Sequence, residues 1–486
     1  MMQDWAGWAI ETARRRGASY ADARVMDIRS REISTKNGRV GTLYENESLG
    51  IGIRVIAAGS WGFSSTDRLT REGVQACAAE AVAIAKASAL ARRKNVALAP
   101  ENAYVDAWQN PFLKDPFRIP VERQIDLLLA AGKEMRRIKG VTVAEGSMSF
   151  RRIEQLFASS IGSSIYQVKM HSGAGIVATS FKDGEIQKRS YPNSFGGQHM
   201  LKGYELVESL DLVAHAPRVG EESVALHSAA QCPEGRRTII LDSSQLGLQI
   251  HESIGHPIEL DRVLGMEANF AGMSFLTTDK LRELKYGSEI VNVVADARLE
   301  HGPGLGTFAY DDEGVPAQCT PIITSGLFTG YLSSRDTAAA IGEKRSNGTM
   351  RTESWNRLPI IRMTNISLNP GAWKFEDLVA DTDDAILMET NRSWSIDDRR
   401  YHFQFSTEIG WEIKNGRKTR MLKNPSYSGI TTEFWNSCDA ICSRDYWTLW
   451  GTPNCGKGQP MQTMGTGHGA SPARFRNINV GVAFAK

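Results

Sequence analysis

His251-Glu252-Ser253-Ile254-Gly255-His256 brings two imidazoles and a carboxylate within six residues. Imidazole is the common side-chain ligand of divalent transition metals, and a glutamate beside one is placed to take a proton from activated water. The spacing is one residue longer than the i, i+4 histidine pair of helical zinc sites. On an ideal α-helix, i and i+4 lie about 40° apart, on one face, whereas i and i+5 lie about 140° apart. Two histidines at this spacing meet at one ion only if the helix widens into a π-type turn or breaks near its end. Gly255 and Pro257 flank the second histidine and favour such a distortion. The plain alternative is a helix end with two unrelated imidazoles.

A catalytic zinc site needs three protein ligands and one open position. The residues left for the third place are Glu259, His301, His468 and the cysteines. Glu259 follows His256 by three residues, but Pro257 interrupts the helix between them. Cys438 and Cys442 have no standard cluster spacing with Cys455, and most buried cysteines are small apolar side chains. Cys455 stands apart because Pro453-Asn454-Cys455-Gly456-Lys457-Gly458 reads as a glycine-rich loop that permits close approach, with Lys457 favouring a thiolate.

Weaker features have plainer readings. His468, in Gly467-His468-Gly469, either reaches the site to polarise a carbonyl or is a loop histidine bonded to backbone. Asp311-Asp312-Glu313-Gly314 reads as a solvated hairpin end rather than a calcium site. Lys414, Arg417, Lys418, Arg420 and Lys423 read as a solvated face. Trp435, Tyr446, Trp447 and Trp450 read as packing.

The elements that position these groups follow from patterning. Residues 3–16 are expected to be helical. Strands run from Asp22 to Ser65 with a hairpin at Asn37-Gly38, and 70–91 is an alanine-rich helix. A connector spans Pro100 to Pro120. The plan then recurs: an amphipathic helix over 121–137, strands from Val141 to Tyr191 with a hairpin at Asp183-Gly184, and helical character over 203–228. Arg237–Leu241 is a short buried strand, and Asp242 or Ser243 caps the helix that carries Leu246, Ile250 and Ile254 as its apolar stripe and ends at Pro257. Beyond it, short strands and glycine turns are expected, with a hairpin at Asn415-Gly416. The fold class is α+β. Residues 1–100 and 101–230 form two helix/β-meander modules, and 231–486 form a β-rich domain that holds the metal site.

Composition sets the limits. A chain of 486 residues, 41% hydrophobic and 23% charged, builds ordinary cores without help from disulfides. Lys plus Arg is 57 and Asp plus Glu is 55, a net charge of +2 that lacks the footprint of a dedicated nucleic-acid binder. No run of about 18 apolar residues predicts a membrane span. The first residues show no apolar signal region, and six cysteines are no disulfide framework, so a cytoplasmic protein with reduced thiols is expected.

HESIGHPIELD, GLGTFAYDDEGVPAQ, ETNRSWSIDDRR and NCGKGQP resemble the TldD/PmbA family of metallopeptidases over essentially the whole chain. The HExxxH motif with a distant Cys-Gly-Lys resembles the TldD branch, which keeps its metal, rather than the metal-free PmbA (TldE) branch. The resemblance implies Zn2+ on His251, His256 and Cys455, with Glu252 as acid/base. It implies hydrolysis of peptides or unstructured polypeptides, such as leader peptides or small proteins. It also implies a dimer formed largely through the β-rich half, either a homodimer or a heterodimer with a PmbA/TldE-like paralogue. Two other readings carry different tests: a regulatory binding protein of the gyrase-modulator type, excluded by bound metal and turnover, and a hydrolase of another amide bond, separated by product masses.

Overall fold

The computed structural model describes residues 1–270 and 272–482. The two N-terminal modules share one eight-stranded sheet rather than standing as separate sheets. The long first strands, Tyr20–Lys36 and Val141–Ser159, pair antiparallel with each other, with Ile28 opposite Ile153. Outward from this seam each module repeats the same order, one long antiparallel strand and then a seven-residue strand. The hairpins fall at Asn37-Gly38 and Asp183-Gly184, where positive φ at both positions selects these residues. The connector is not structureless, since Val105–Gln109 adds a strand parallel to Ser164–Lys182.

Helices Met2–Arg15 and Arg71–Ser88 cover one half of one sheet face, and Val121–Arg137 and Leu212–Ala225 cover the other half. Arg71–Ser88 is apolar and long enough by composition to cross a bilayer, but its Val74, Ala78, Ala81 and Ala85 stripe is buried on the sheet.

In the C-terminal half, Gly235–Leu241 lies between Asp384–Ile396 and Ala473–Val482, and pairing continues through Pro425–Ile430 and His402–Lys414 back to Asp384–Ile396. A second sheet of six strands contains Asn365–Leu368, Gln462–Ala470 and Thr448–Lys457. The helix Ser243–Ile250 packs between the two sheets, and Leu246, Ile250 and Ile254 are fully buried in the largest core. Strands here are longer than the sequence suggested, with two of 13 residues, and short helices occur at Arg335–Ala340, Phe375–Ala380 and Thr431–Asn436.

The free face of the N-terminal sheet is polar, yet it is buried against the C-terminal half. Arg54 donates to Asp22 at 2.8 Å on its own sheet and pairs with Glu313 at 3.0 Å across the boundary. Gln155 Nε2 donates to Asp312 at 2.7 Å, and Gln167 Nε2 donates to the Tyr310 carbonyl at 2.9 Å. The acidic segment 311–313 is therefore no solvated hairpin end: all three carboxyls are buried and join the halves of the chain. Lys414, Arg417, Lys418 and Arg420 do lie at the surface, where Arg420 meets Glu412, but Lys423 is part-buried and pairs with Glu185 of the N-terminal half.

Removing one member of a buried pair strands the other's charge. Arg54→Met is expected to cost about 3–5 kcal/mol in urea unfolding, because Asp22 and Glu313 lose their shared cation. An unchanged urea midpoint would show that this contact does not hold the halves together.

Candidate metal centre

Asp242 caps the helix Ser243–Ile250 by accepting from the backbone N–H groups of Ser244 and Gln245. The next five residues, His251–Gly255, form a π turn, closed by the His256 N–H donating to the His251 carbonyl at 3.1 Å. This is the distortion the i, i+5 spacing requires. It brings the two imidazoles edge to face with ring centres 4.8 Å apart.

Side chains lock the turn. Ser253 Oγ donates to the Gln249 carbonyl at 2.6 Å and accepts from Trp435 Nε1 at 2.9 Å, while the Tyr286 hydroxyl donates to the Ser253 carbonyl. Gly255 has no room for a side chain, since a Cβ there would stand 2.2 Å from Met363 Sδ. Trp435 is thus packing, as expected, but packing that fixes the metal-binding turn.

Cys455 comes from the strand Thr448–Lys457, not from a loop. A register shift between Thr452 and Cys455 re-aims the chain there, and Cys455 pairs with Met464. His251, His256 and Cys455 are all buried, and their ligand atoms lie within 4.8 Å of one another, the one such cluster among the described residues. Cys455 Sγ stands 3.7 Å from His256 Nε2. Two donors at ordinary zinc–nitrogen and zinc–sulfur distances on a tetrahedron stand about 3.6 Å apart, so the residues fit a metal of this kind. Glu252 is buried next to the first histidine, and its Oε2 accepts from Arg400 Nη1 at 2.7 Å.

The hydrogen bonds assign the tautomers. His468 Nδ1–H donates to the Ile366 carbonyl at 3.3 Å, so its Nε2 accepts from His251 Nδ1–H at 2.7 Å. His251 is left with its Nε2 lone pair for a ligand. On the other imidazole, Nδ1–H donates to Glu259 at 3.0 Å, leaving Nε2 facing Cys455. Burial pulls both His251 and His256 down to about 4, so both imidazoles are neutral at ordinary pH. Burial pushes the Cys455 thiol up and the Arg362 guanidinium pulls it down, and the thiol ends below its usual range.

Three alternatives from the sequence are placed elsewhere or differently. Glu259 is not in the cluster but orients His256, and it is held ionised by Lys457 and Arg262 against the cost of burial. His468 has both ring nitrogens committed, so it supports His251 instead of polarising a substrate carbonyl. His301 bonds Ser367 at 2.8 Å, outside the cluster. Cys438 and Cys442 are buried apolar side chains whose thiols burial pushes up. Lys457 does not serve the thiolate: its ammonium is spent on Asp261 at 2.7 Å and on Glu259 at 3.3 Å. The cation beside Cys455 is Arg362, which also donates to the Cys455 carbonyl. Nothing in the sequence singled out Arg362. Arg400 closes the DDRR segment and adopts a positive φ of 65° next to Glu252.

A family model described as the PmbA/TldA metallopeptidase C-terminal domain matches residues 234–481, and the model for domain 1 of that family matches residues 21–85. The chain belongs to this family. A metalloprotease of Methanocaldococcus jannaschii is 30% identical over 452 residues, 93% of this chain and 95% of that one. A zinc metalloprotease TldD homologue of Saccharolobus solfataricus is 26% identical over 253 residues, 51% of this chain and 52% of that one. In fold, the chain is similar to a Thermotoga maritima crystal structure assigned as a modulator of a DNA gyrase. The TM-score is 0.78 at 16% identity, covering 99% of this chain and 100% of that one. This PmbA/TldA chain is a metallopeptidase.

Residues that only orient a ligand still tune its affinity. Glu259→Gln and His468→Phe are each expected to weaken metal binding by about 10- to 100-fold without removing a ligand atom. Chelator competition on the purified variants measures this, and wild-type affinity in both would remove the orienting role.

Proposed function

We propose that this protein is a zinc peptidase of the TldD-type branch, acting on peptides or unstructured polypeptides in the cytoplasm. The observation that carries the reading is the meeting of His251, His256 and Cys455 in one buried cluster with Glu252 beside it. Two neutral imidazoles and a thiolate are a donor set that suits Zn2+. Held by His251, His256 and Cys455, zinc would supply Lewis acidity for the scissile carbonyl and for water at neutral pH. Glu252 accepts the proton released as water attacks and delivers it to the departing amine nitrogen. Arg400 fixes the Glu252 carboxylate through Oε2, leaving Oε1 for the proton. His468 and Glu259 hold the two imidazoles in the tautomers that present Nε2.

The cytoplasmic placement draws on six cysteines that are all unpaired. A dimer, with a second copy or a metal-free PmbA/TldE-like paralogue, would screen the site from folded proteins. The gyrase-modulator description of the Thermotoga maritima protein gains no support from a net charge of +2 and a complete ligand set.

The roles separate by substitution. Cys455→Ser is expected to lose zinc and activity together, because a neutral hydroxyl replaces a charged thiolate. Glu252→Gln should keep zinc and lose roughly 10²- to 10⁴-fold in turnover, the contribution of a positioned general base. His251→Ala and His256→Ala should each weaken zinc. Metal analysis and peptide cleavage on all four variants test this. Zinc lost from Glu252→Gln but kept, with activity, in Cys455→Ser would reverse the assignment.

A further inference from the structure

A cavity lies between the polar face of the N-terminal sheet and the C-terminal half. Its sheet wall carries Arg151 and Lys169, and its opposite wall carries Arg351, Asp312, Glu353 and Met464. It adjoins the metal cluster: Met464 is the cross-strand partner of Cys455, and Thr466, two residues further along the same strand, touches His251.

Nearly every charged group in this cavity is held by a neutral partner. Arg151 donates to the Glu353 carbonyl at 2.6 Å, and Arg351 donates to the carbonyls of Met363 and Leu305, so both guanidinium groups are fixed by neutral acceptors. Lys169 has no hydrogen-bond or ion-pair partner among the described residues. The facing carboxylates are occupied by neutral donors, Asp312 by Gln155 and the Thr352 N–H, Glu353 by the Thr463 N–H. The neighbouring Asp311 is occupied in the same way, by the N–H groups of Glu313, Val315 and Met350. Burial and His199 hold His171 well down, so it adds no cation. Of the charged groups that line the cavity, Lys169 alone has no hydrogen-bond or ion-pair partner among the described residues.

Lys169 is the group with nothing to hold. Burial brings its ammonium down to about 8, the cost of a part-buried cation, and the carboxylate that pulls it back, Asp312, is already shared. An arriving carboxylate would gain a charge-assisted hydrogen bond and relieve that cost at once.

We propose that this cavity is a subsite for a carboxylate of the peptide substrate, with Lys169 as its counter-ion. The proposal rests on the peptidase reading. The carboxylate has two sources, an Asp or Glu side chain or a free C-terminus, and both present the same chemistry to Lys169.

The test uses zinc-loaded protein, its Lys169→Met variant, and peptides of one backbone. Glu is exchanged for Gln at each position in turn, and each peptide carries a free or an amidated C-terminus. Wild type is expected to prefer the acidic form at one place by roughly 10- to 100-fold in kcat/KM, the range of a charged hydrogen bond. Lys169→Met should bring that ratio close to one. It should fold, since the ammonium it removes has no partner, and Lys169→Gln serves as a second neutral variant. Which exchange matters, side chain or terminus, identifies the source. A ratio unchanged in both variants overturns the subsite. A second readout needs no turnover. In Glu252→Gln protein, the acidic peptide should slow reductive methylation of Lys169, followed by mass spectrometry, while its amide analogue should not. Cleavage with neither preference nor protection refutes the subsite and leaves the peptidase reading standing. Protection without any cleavage by wild type does the reverse.

Discussion

Two imidazoles five residues apart in sequence can face one ion only where the helix carries one residue more per turn than an α-helix does. Much of the C-terminal half serves that constraint. A π turn gives up good α-helical hydrogen bonding, so other contacts have to stabilise it. Ser253 is bonded from three directions, by Gln249, Trp435 and Tyr286. The short helix Thr431–Asn436 brings Trp435, and the irregular segment before Val291 brings Tyr286, so elements with no chemistry of their own are needed for the geometry. Met363 closes the remaining space over Gly255. Within the six-residue motif, Ser253 and Gly255 are as specific to their places as the ligands themselves.

The cluster then depends on charge held at one remove. Three buried cations, Arg262, Arg362 and Lys457, stand near the ligands without touching a ligand atom in the same way. Lys457 and Arg262 keep Glu259 ionised, Glu259 turns His256, and Arg362 favours the thiolate. A single misplaced member would leave a buried charge uncompensated, which is more costly than losing a surface ion pair.

Much of this was legible in the residues. The hairpins at Asn37-Gly38, Asp183-Gly184 and Asn415-Gly416 carry their own turn chemistry, and all three adopt positive φ at both positions. Helix 121–137 is amphipathic enough to be read within a residue of its ends. The widened turn followed from spacing alone. What the residues did not disclose was tertiary. Asp311, Asp312 and Glu313 look like solvent-facing acids, because nothing local announces that Arg54 and Gln155 wait some 150 or more residues away. Lys457 looks like the partner of Cys455, its neighbour by two on the same face of the strand, but its long side chain carries the ammonium past the thiol to Asp261 and Glu259. The glycines around Cys455 and His468 suggest loops, whereas both residues lie in paired strands.

The distance along the chain between the parts of the cluster has a consequence for biogenesis. His256 and Cys455 are 199 residues apart, and Gly235–Leu241, the strand that leads into the metal helix, finds its antiparallel partner only at Ala473–Val482. A ribosome adding roughly 5–20 residues per second spends about ten to forty seconds between the second histidine and the thiol. Throughout that interval the nascent histidines have neither their third ligand nor the strand that seats their helix. The N-terminal sheet, complete long before, offers its polar face as a template but no donor. Ion capture at this cluster therefore waits on the strand Ala473–Val482, and the metal has to meet a chain in which both sides of the cluster are already made.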